Sequence, residues 1–541
     1  MGSAPVFAQQ LNPADRSAAE AAIKTIRAQA IRAHMRFLSD SLLEGRAPGT
    51  RGYDIAAQYV ATQMEAMGLR PAGVNGTWFQ PVPLRKAVND ASRSSYVLVG
   101  DGKEQKLADT ADYVFGGDLL RAESSVEAPL VFVGFGATAP EMNYDDYAGA
   151  NVRNKIVVLI QGAPPRFPST VRAYYSSRVV KEQNAVAHGA AGTTTILLPE
   201  DQKRVRWDWI VPQIKAGQVQ WLDAARTPHD VFPELRVGAL FSQHGAEMLF
   251  AGAPKTLDQA FAAARANQPQ AFPLASSARI HRVSTHTEFE SPNIIAKLEG
   301  SDPALRDQYV VYTAHVDHLG LCPPVEGDKV CHGAWDNASG TASLLEIARA
   351  FTSLPRSPRR SVLFVFVTGE EMGLLGSDYF AHFPAVLIEN IIANLNIDGS
   401  PSMLTSSKYL TAYGGEHSSL GKNAESAAQQ VGYKISPDLM PEEVLFIRSD
   451  QYSFVLQGVP SLFIIDGADG LDVGRKWLTT KYHTPLDNVN QPLDYESGAR
   501  GARMNFLVGY EVAQQDQPPA WNEGDFFGSK FGRGRAANTR K

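Results

Sequence analysis

Ser361–Phe380 reads SVLFVFVTGEEMGLLGSDYF. SVLFVFV is about as apolar a strand as a soluble protein carries. Directly after it stand two adjacent carboxylates, Glu370 and Glu371. Neighbouring like charges repel, and a partly buried carboxylate is costly unless something positive compensates it. Either both are solvated in a plain loop, or a local positive charge holds them at the mouth of the strand.

Working outward, apolar strands alternate with helices on both sides of this stretch. QYVVYTA (308–314) precedes the helical ASLLEIARAF (342–351), and after the helix predicted from about Leu374 come IIANLNI (391–397) and SLFIID (461–466). Such alternation predicts an α/β fold, a layered sheet with helices on its faces. Upstream, Ala18 to about Leu69 reads as helices, whereas short apolar β segments and turns dominate to about residue 272. At 541 residues the chain exceeds what one core usually supports. The expected organisation is one α/β domain built from both flanks, 1–112 and 273–516, around a smaller β-rich insert at 113–272. The basic, Gly-rich tail 517–541 is expected to be disordered.

The formal charge of −6 gives no basis for a nucleic-acid partner, and no apolar run approaches the roughly 20 residues of a membrane helix. Met1-Gly2-Ser3 reads as a tag remnant, and Ala4–Gln10 resembles the end of an export signal, which implies a secreted or periplasmic protein. The two cysteines, Cys322 and Cys331, enclose a short loop; a disulfide in an oxidising compartment is expected, with free thiols the alternative.

In an open α/β sheet, ligands bind beyond the carboxyl ends of the strands. QYVVYTA runs into His315-Val-Asp317-His318, SVLFVFV into Glu370-Glu371, and IIANLNI into Asp398. Trp335-Asp336-Asn337 precedes the helix ASLLEIARAF, and Tyr482-His483-Thr484-Pro485 follows SLFIID. Alone, each fragment has a bland explanation; Asp336 or Asn337, for instance, would serve as a helix N-cap. Together they gather imidazoles and carboxylates at one sheet edge, where bare charges would repel. Two divalent cations resolve that problem, and His315, Asp336, Glu371, Asp398 and His483 supply the ligands for a co-catalytic pair. Nitrogen and oxygen donors without thiolates suit zinc, with manganese or cobalt as options. Asp317 is expected to accept the other N–H of His315. Alternate side chains of extended backbone face opposite ways, so one glutamate can bind metal while its neighbour takes a proton from water. We assign Glu370 as general base and Glu371 as ligand; the reverse is the main alternative.

HVDHLG, GAWDNASGTASLLEIARAF, FVTGEEMGLLGS, LNIDGS, SDQYSFVLQGVP and YHTPLDNV resemble, in order, the signature blocks of metallopeptidase family twenty-eight, the di-zinc exopeptidases that include secreted aminopeptidases. The resemblance covers roughly 285–500. APLVFVGFG, YDDYAGANVRNKIVVLIQG and HGAAG resemble a protease-associated (PA) domain insert, and EGRAPGTRGYDIAAQYV is similar to the N-terminal part of such enzymes. The resemblance implies the three-layer, mixed-sheet α/β fold of the zinc exopeptidases and a peptide substrate cleaved at its N-terminus. It implies that His315 and Asp398 hold one zinc, Glu371 and His483 the other, and that Asp336 bridges them. Tyr482 would stabilise the oxyanion. A carboxypeptidase would need an arginine for the substrate's terminal carboxylate, for which Arg448 is the candidate; an aminopeptidase would need acidic groups for an ammonium, for which Glu442, Glu443 and Asp450 are the candidates. The rival readings are a carboxypeptidase or acylamino-acid hydrolase, a glutaminyl-cyclase-like transferase on the same fold, and a non-catalytic binding protein.

Overall fold

In the strand Ser361–Val367 every residue is buried, and so is every residue of Tyr309–His315 and Ile391–Asn396. These three run parallel, with Tyr309–His315 in the middle and His315 in register with Val367. The computed structural model in which they lie describes residues 11–203 and 206–533; the tag and signal remnant expected at 1–10 falls outside them. The sheet continues from Ser361–Val367 to an antiparallel strand at 294–298, paired in turn with Arg70–Pro71. On the other side it continues through Ser461–Asp466 (parallel), Tyr409–Tyr413 (antiparallel) and Lys434–Ser436.

Alternation along each strand builds two layers of core, because successive side chains point to opposite faces. Val310, Tyr312, Ala314, Val362, Phe364 and Phe366 face one side and pack with residues of the helices Ala28–Leu38, Arg51–Ala66, Gly340–Thr352 and Tyr495–Gln514. Tyr309, Val311, Leu363, Val365 and Val367 face the other and meet Phe380 and Phe454, from helices Leu375–His382 and Gln451–Leu456. The result is the expected three-layer mixed α/β arrangement.

The chain divides into two compact units: residues 1–82, 290–440 and 448–541, and residues 83–289 with 441–447. The divisions therefore fall at Val82/Pro83 and Phe289/Glu290 rather than at 112/113 and 272/273. The hairpin Ser95–Gly100/Lys103–Lys106 pairs with 277–281, which pairs in turn with Glu123–Phe132, and its Tyr96 and Leu98 lie in the core of the second unit. Both segments thus belong to that unit, although neither is distinguishable in sequence from the strands of the first. In the second unit Ile156–Ile160 lies parallel between Glu123–Phe132 and Gly192–Ile196, and Gly238–Phe241 extends the sheet. Helices Arg178–Ala187, Gln243–Leu249 and Leu257–Arg265 lie in the same unit.

The expected disorder of 517–541 is also corrected over its described part. Phe526–Phe531 is a helix capped by Asp525, Phe527 is fully buried, and the Trp521 indole N–H donates to the carbonyl of Gly458 at 3.2 Å. Four aromatic side chains, Trp521, Phe526, Phe527 and Phe531, outweigh the glycines there; residues 534–541 lie outside the described part.

Candidate metal centre

Three central strands end at the same edge and deliver His315, Glu370 with Glu371, and Asp398 within a few residues of their last ladder position. After Val367 the chain turns at Gly369, whose φ of 67° is left-handed, and the Thr368 N–H is held by the side chain of Asn293 at 3.0 Å. Asp336 comes from the turn before helix Gly340–Thr352, and a cis peptide joins it to Asn337. The Asn337 side chain ties that turn to the Asp398 loop, accepting the Gly399 N–H at 2.9 Å and donating to the carbonyl of Ile397 at 3.0 Å. His483 follows helix Leu471–Thr480.

The five expected ligands converge. Asp336 presents one oxygen to each of two imidazoles: Oδ1 lies 3.3 Å from His315 Nε2, and Oδ2 lies 3.5 Å from His483 Nε2. Asp398 Oδ1 is 3.3 Å from the same nitrogen of His315, and Glu371 Oε2 is 2.9 Å from that of His483. Glu370 Oε2 stands 4.0 Å from His315. The donor atoms of His315, Asp336 and Glu371, and those of His315, Glu370 and Asp398, lie within 4.8 Å of one another, near enough to share a cation. Glu370 and Asp398, 11% and 18% exposed, are more open than Glu371 at 4%.

Electrostatics separates the two glutamates. Burial drives the Glu370 carboxyl well above its ordinary pKa, against His315 and with Asp398 and Glu371 adding to the rise. Burial acts the same way on Glu371, yet His483 and His318 overcome it and hold its pKa at about 2. Burial opposes the charged forms of both histidines; nearby carboxylates win, raising His483 to about 9 and His315 well above the usual imidazole value.

Asp317 does not do what its spacing suggested. Its carboxylate is 3.9 Å from His315 Nδ1, which donates instead to the Asp317 backbone carbonyl at 3.1 Å. The carboxylate accepts the backbone N–H groups of Glu370 at 3.2 Å and Glu371 at 3.3 Å, so it clamps the acidic turn rather than the imidazole. Asp450 is also corrected: it is fully buried, its pKa pushed up to about 7 by that burial, and it presents no face to a substrate ammonium. Arg448 donates to the Tyr482 hydroxyl at 3.2 Å and lies over its ring, and that ring stacks on His483 at 3.6 Å. Cys322 and Cys331 form the expected disulfide across the hairpin Leu321–Val325/Asp328–Val330.

Several supports escaped the sequence reading. Asp487, fully buried, accepts the N–H groups of Trp335 and Asp336 at 3.0 and 3.1 Å, tying the His483 loop to the Asp336 turn. Ser449 donates to Asp398 Oδ2 at 2.6 Å. His318 donates from Nδ1 to Glu371 Oε1 at 2.5 Å. Asp487 and His318 sit inside YHTPLDN and HVDH, where their closeness to ligands was the available signal.

Residues 293–507 match the model of Peptidase family M28. This segment is an M28 peptidase domain. The chain is 30% identical over 223 residues to the probable leucine aminopeptidase 2 of Aspergillus oryzae, spanning 38% of this chain and 41% of that protein. It is 26% identical over 242 residues to aminopeptidase YwaD of Bacillus subtilis, 44% of this chain and 48% of that one. The chain thus spans less than half the length of these curated relatives. A solved aminopeptidase from Aneurinibacillus sp. strain AM-1 superposes with a TM-score of 0.54 at 19% identity, covering 92% of this chain and 96% of that one. That likeness bears on the fold alone. Among the described residues no helix is long and apolar enough to cross a membrane.

Proposed function

We propose that this protein is a secreted or periplasmic zinc aminopeptidase that binds two metal ions. The observation that carries the reading is Asp336: a buried carboxylate with one oxygen toward His315 and the other toward His483 is the disposition of a bridge between two cations. The donor set fits zinc, being nitrogen and oxygen from imidazole and carboxylate with no thiolate near. His315 and Asp398 would hold one ion, Glu371 and His483 the other, with Asp336 shared. Bound there, the ions supply Lewis acidity at the scissile carbonyl and lower the pKa of water.

The remaining chemistry belongs to this chain's own groups. Glu370, at the more open edge of the cluster, takes the proton of the attacking water and returns it to the leaving nitrogen. Its backbone is fixed by Asp317, so the carboxylate is presented at a set distance rather than sampled. The Tyr482 hydroxyl accepts from Arg448, which leaves its own proton to donate toward charge developing on the carbonyl oxygen. We read the second unit as the PA insert, on the strength of its sequence blocks. The Cys322–Cys331 disulfide supports an oxidising compartment.

The test is a zinc-reconstituted preparation assayed against aminoacyl anilides and N-blocked peptides. Cleavage confined to free N-termini is expected; turnover of blocked substrates alone would overturn the aminopeptidase reading. Glu370→Gln is expected to keep its metal and lose about 10²- to 10⁴-fold in turnover, the usual worth of a positioned base.

A further inference from the structure

His318 is fully buried three residues beyond His315, and the reading above gives it no task. Its Nδ1 donates to Glu371 Oε1 at 2.5 Å, while the other oxygen of the same carboxylate lies 2.9 Å from His483 Nε2. One oxygen is thereby committed to the protein, and Oε2 is the one directed toward His483. The ring has little choice of position. A Cβ on Gly333, itself at φ 55°, would come within 2.6 Å of the His318 Cγ, so only glycine there leaves room for the imidazole. Its other side meets the His483 ring edge-on, with centroids 5.7 Å apart. Behind it, the Arg46 backbone carbonyl accepts the His318 backbone N–H at 3.2 Å, and the wholly buried Arg46 guanidinium donates to the carbonyls of Val316, His332 and Gly333 at 2.8, 2.6 and 3.0 Å. Arg46 thus fastens the segments before and after the disulfide hairpin to one another.

We infer that His318 is a positioning residue that fixes the Glu371 carboxylate and so governs the metal held by Glu371 and His483, but not the one held by His315 and Asp398. The inference rests on the two-ion reading above. Its selectivity follows from contact: His318 hydrogen-bonds Glu371, whereas Asp398 is held independently by Ser449. Partners that orient a ligating group in this way typically matter by 10- to 100-fold in metal affinity.

The test uses the full chain, stripped of metal and titrated with zinc alone by calorimetry, with bound zinc counted by elemental analysis after desalting. Wild type is expected to take two ions. His318→Leu, similar in size and unable to donate, is expected to keep the first ion within about 3-fold in affinity and to weaken the second by about 10- to 100-fold. His318→Asn, whose amide nitrogen stands where the imidazole Nδ1 stands, is expected to recover most of the loss. Two unaltered sites in His318→Leu, or equal weakening of both, would overturn the inference and leave the two-ion reading intact. A wild type that takes no zinc would overturn that reading itself. Should His318→Leu not fold, the Nδ1 proton of wild type decides: proton NMR is expected to show it far downfield and slow to exchange, and a freely exchanging proton would overturn the assignment.

Discussion

His483 and Glu371 carry opposite pKa shifts for one reason: each side chain is largely buried and each faces the other's charge at 2.9 Å. Burial works against the His483 imidazolium, and Glu371 with Asp336 more than offsets it, to about 9. A raised histidine pKa stabilises the metal-free fold fully below its unfolded value near 6.5, and that contribution fades as pH rises through 9. The Glu371 carboxyl, held at about 2, stabilises fully above its unfolded value near 4.3 and fades as pH falls toward 2. In metal-stripped protein at pH 7 His483 therefore carries its proton, with His315 shifted in the same direction, and a cation that takes their nitrogens must expel protons. Zinc titrated into stripped protein at pH 7, in buffers of differing ionisation enthalpy, should release about one proton per imidazole ligand. Release should diminish as the pH passes 9; a pH-independent heat that does not vary with buffer would contradict the charge pattern.

At the scale of elements, three parallel strands set the spacing of the site. His315, Glu370 and Asp398 are brought together because the strands that carry them are neighbours in register. That register is held by side chains well below the site. Phe364, fully buried, stacks on Tyr312 with ring centroids 5.9 Å apart and meets Phe351 of helix Gly340–Thr352 edge-on at 5.9 Å. Phe364→Ala should cost the first unit about 3–5 kcal/mol, through lost transfer energy and the cavity left behind. Denaturant unfolding followed by tyrosine and tryptophan fluorescence would measure it; a loss under about 1 kcal/mol would show that the site collapses without penalty. The strand-to-helix rhythm behind this packing was legible in advance. The hairpin at 95–106 and the segment 273–289 were not assignable, because their apolar pattern matches strands of either unit and only pairing partners distinguish them.

For the molecule as a whole, each compact unit has its own apolar core. Val310, Phe364 and Leu395 belong to one; Tyr96, Phe132 and Phe250 belong to another. Cores that share no residues need not melt together, so calorimetry should resolve two transitions. The proposed zinc ligands all belong to the first unit, so zinc should raise only that transition, by about 2.7 kcal/mol at a free concentration a hundred times the dissociation constant. A single transition, or a zinc-dependent shift in both, would count against this division.

Strand periodicity and the chemical types of the donors are local properties, written within a few residues of each position; they were enough to predict the layered α/β fold and to nominate the five converging side chains. Which oxygen meets which nitrogen is not local. Asp317 and Glu370, like His318 and Glu371, are separated by 53 residues of chain, and only the packing of two neighbouring strands brings them within a hydrogen bond. That is why Asp317 proved to clamp the acidic turn, why Asp450 proved to be enclosed, and why the support from His318, Asp487 and Ser449 emerged only when the chain was folded.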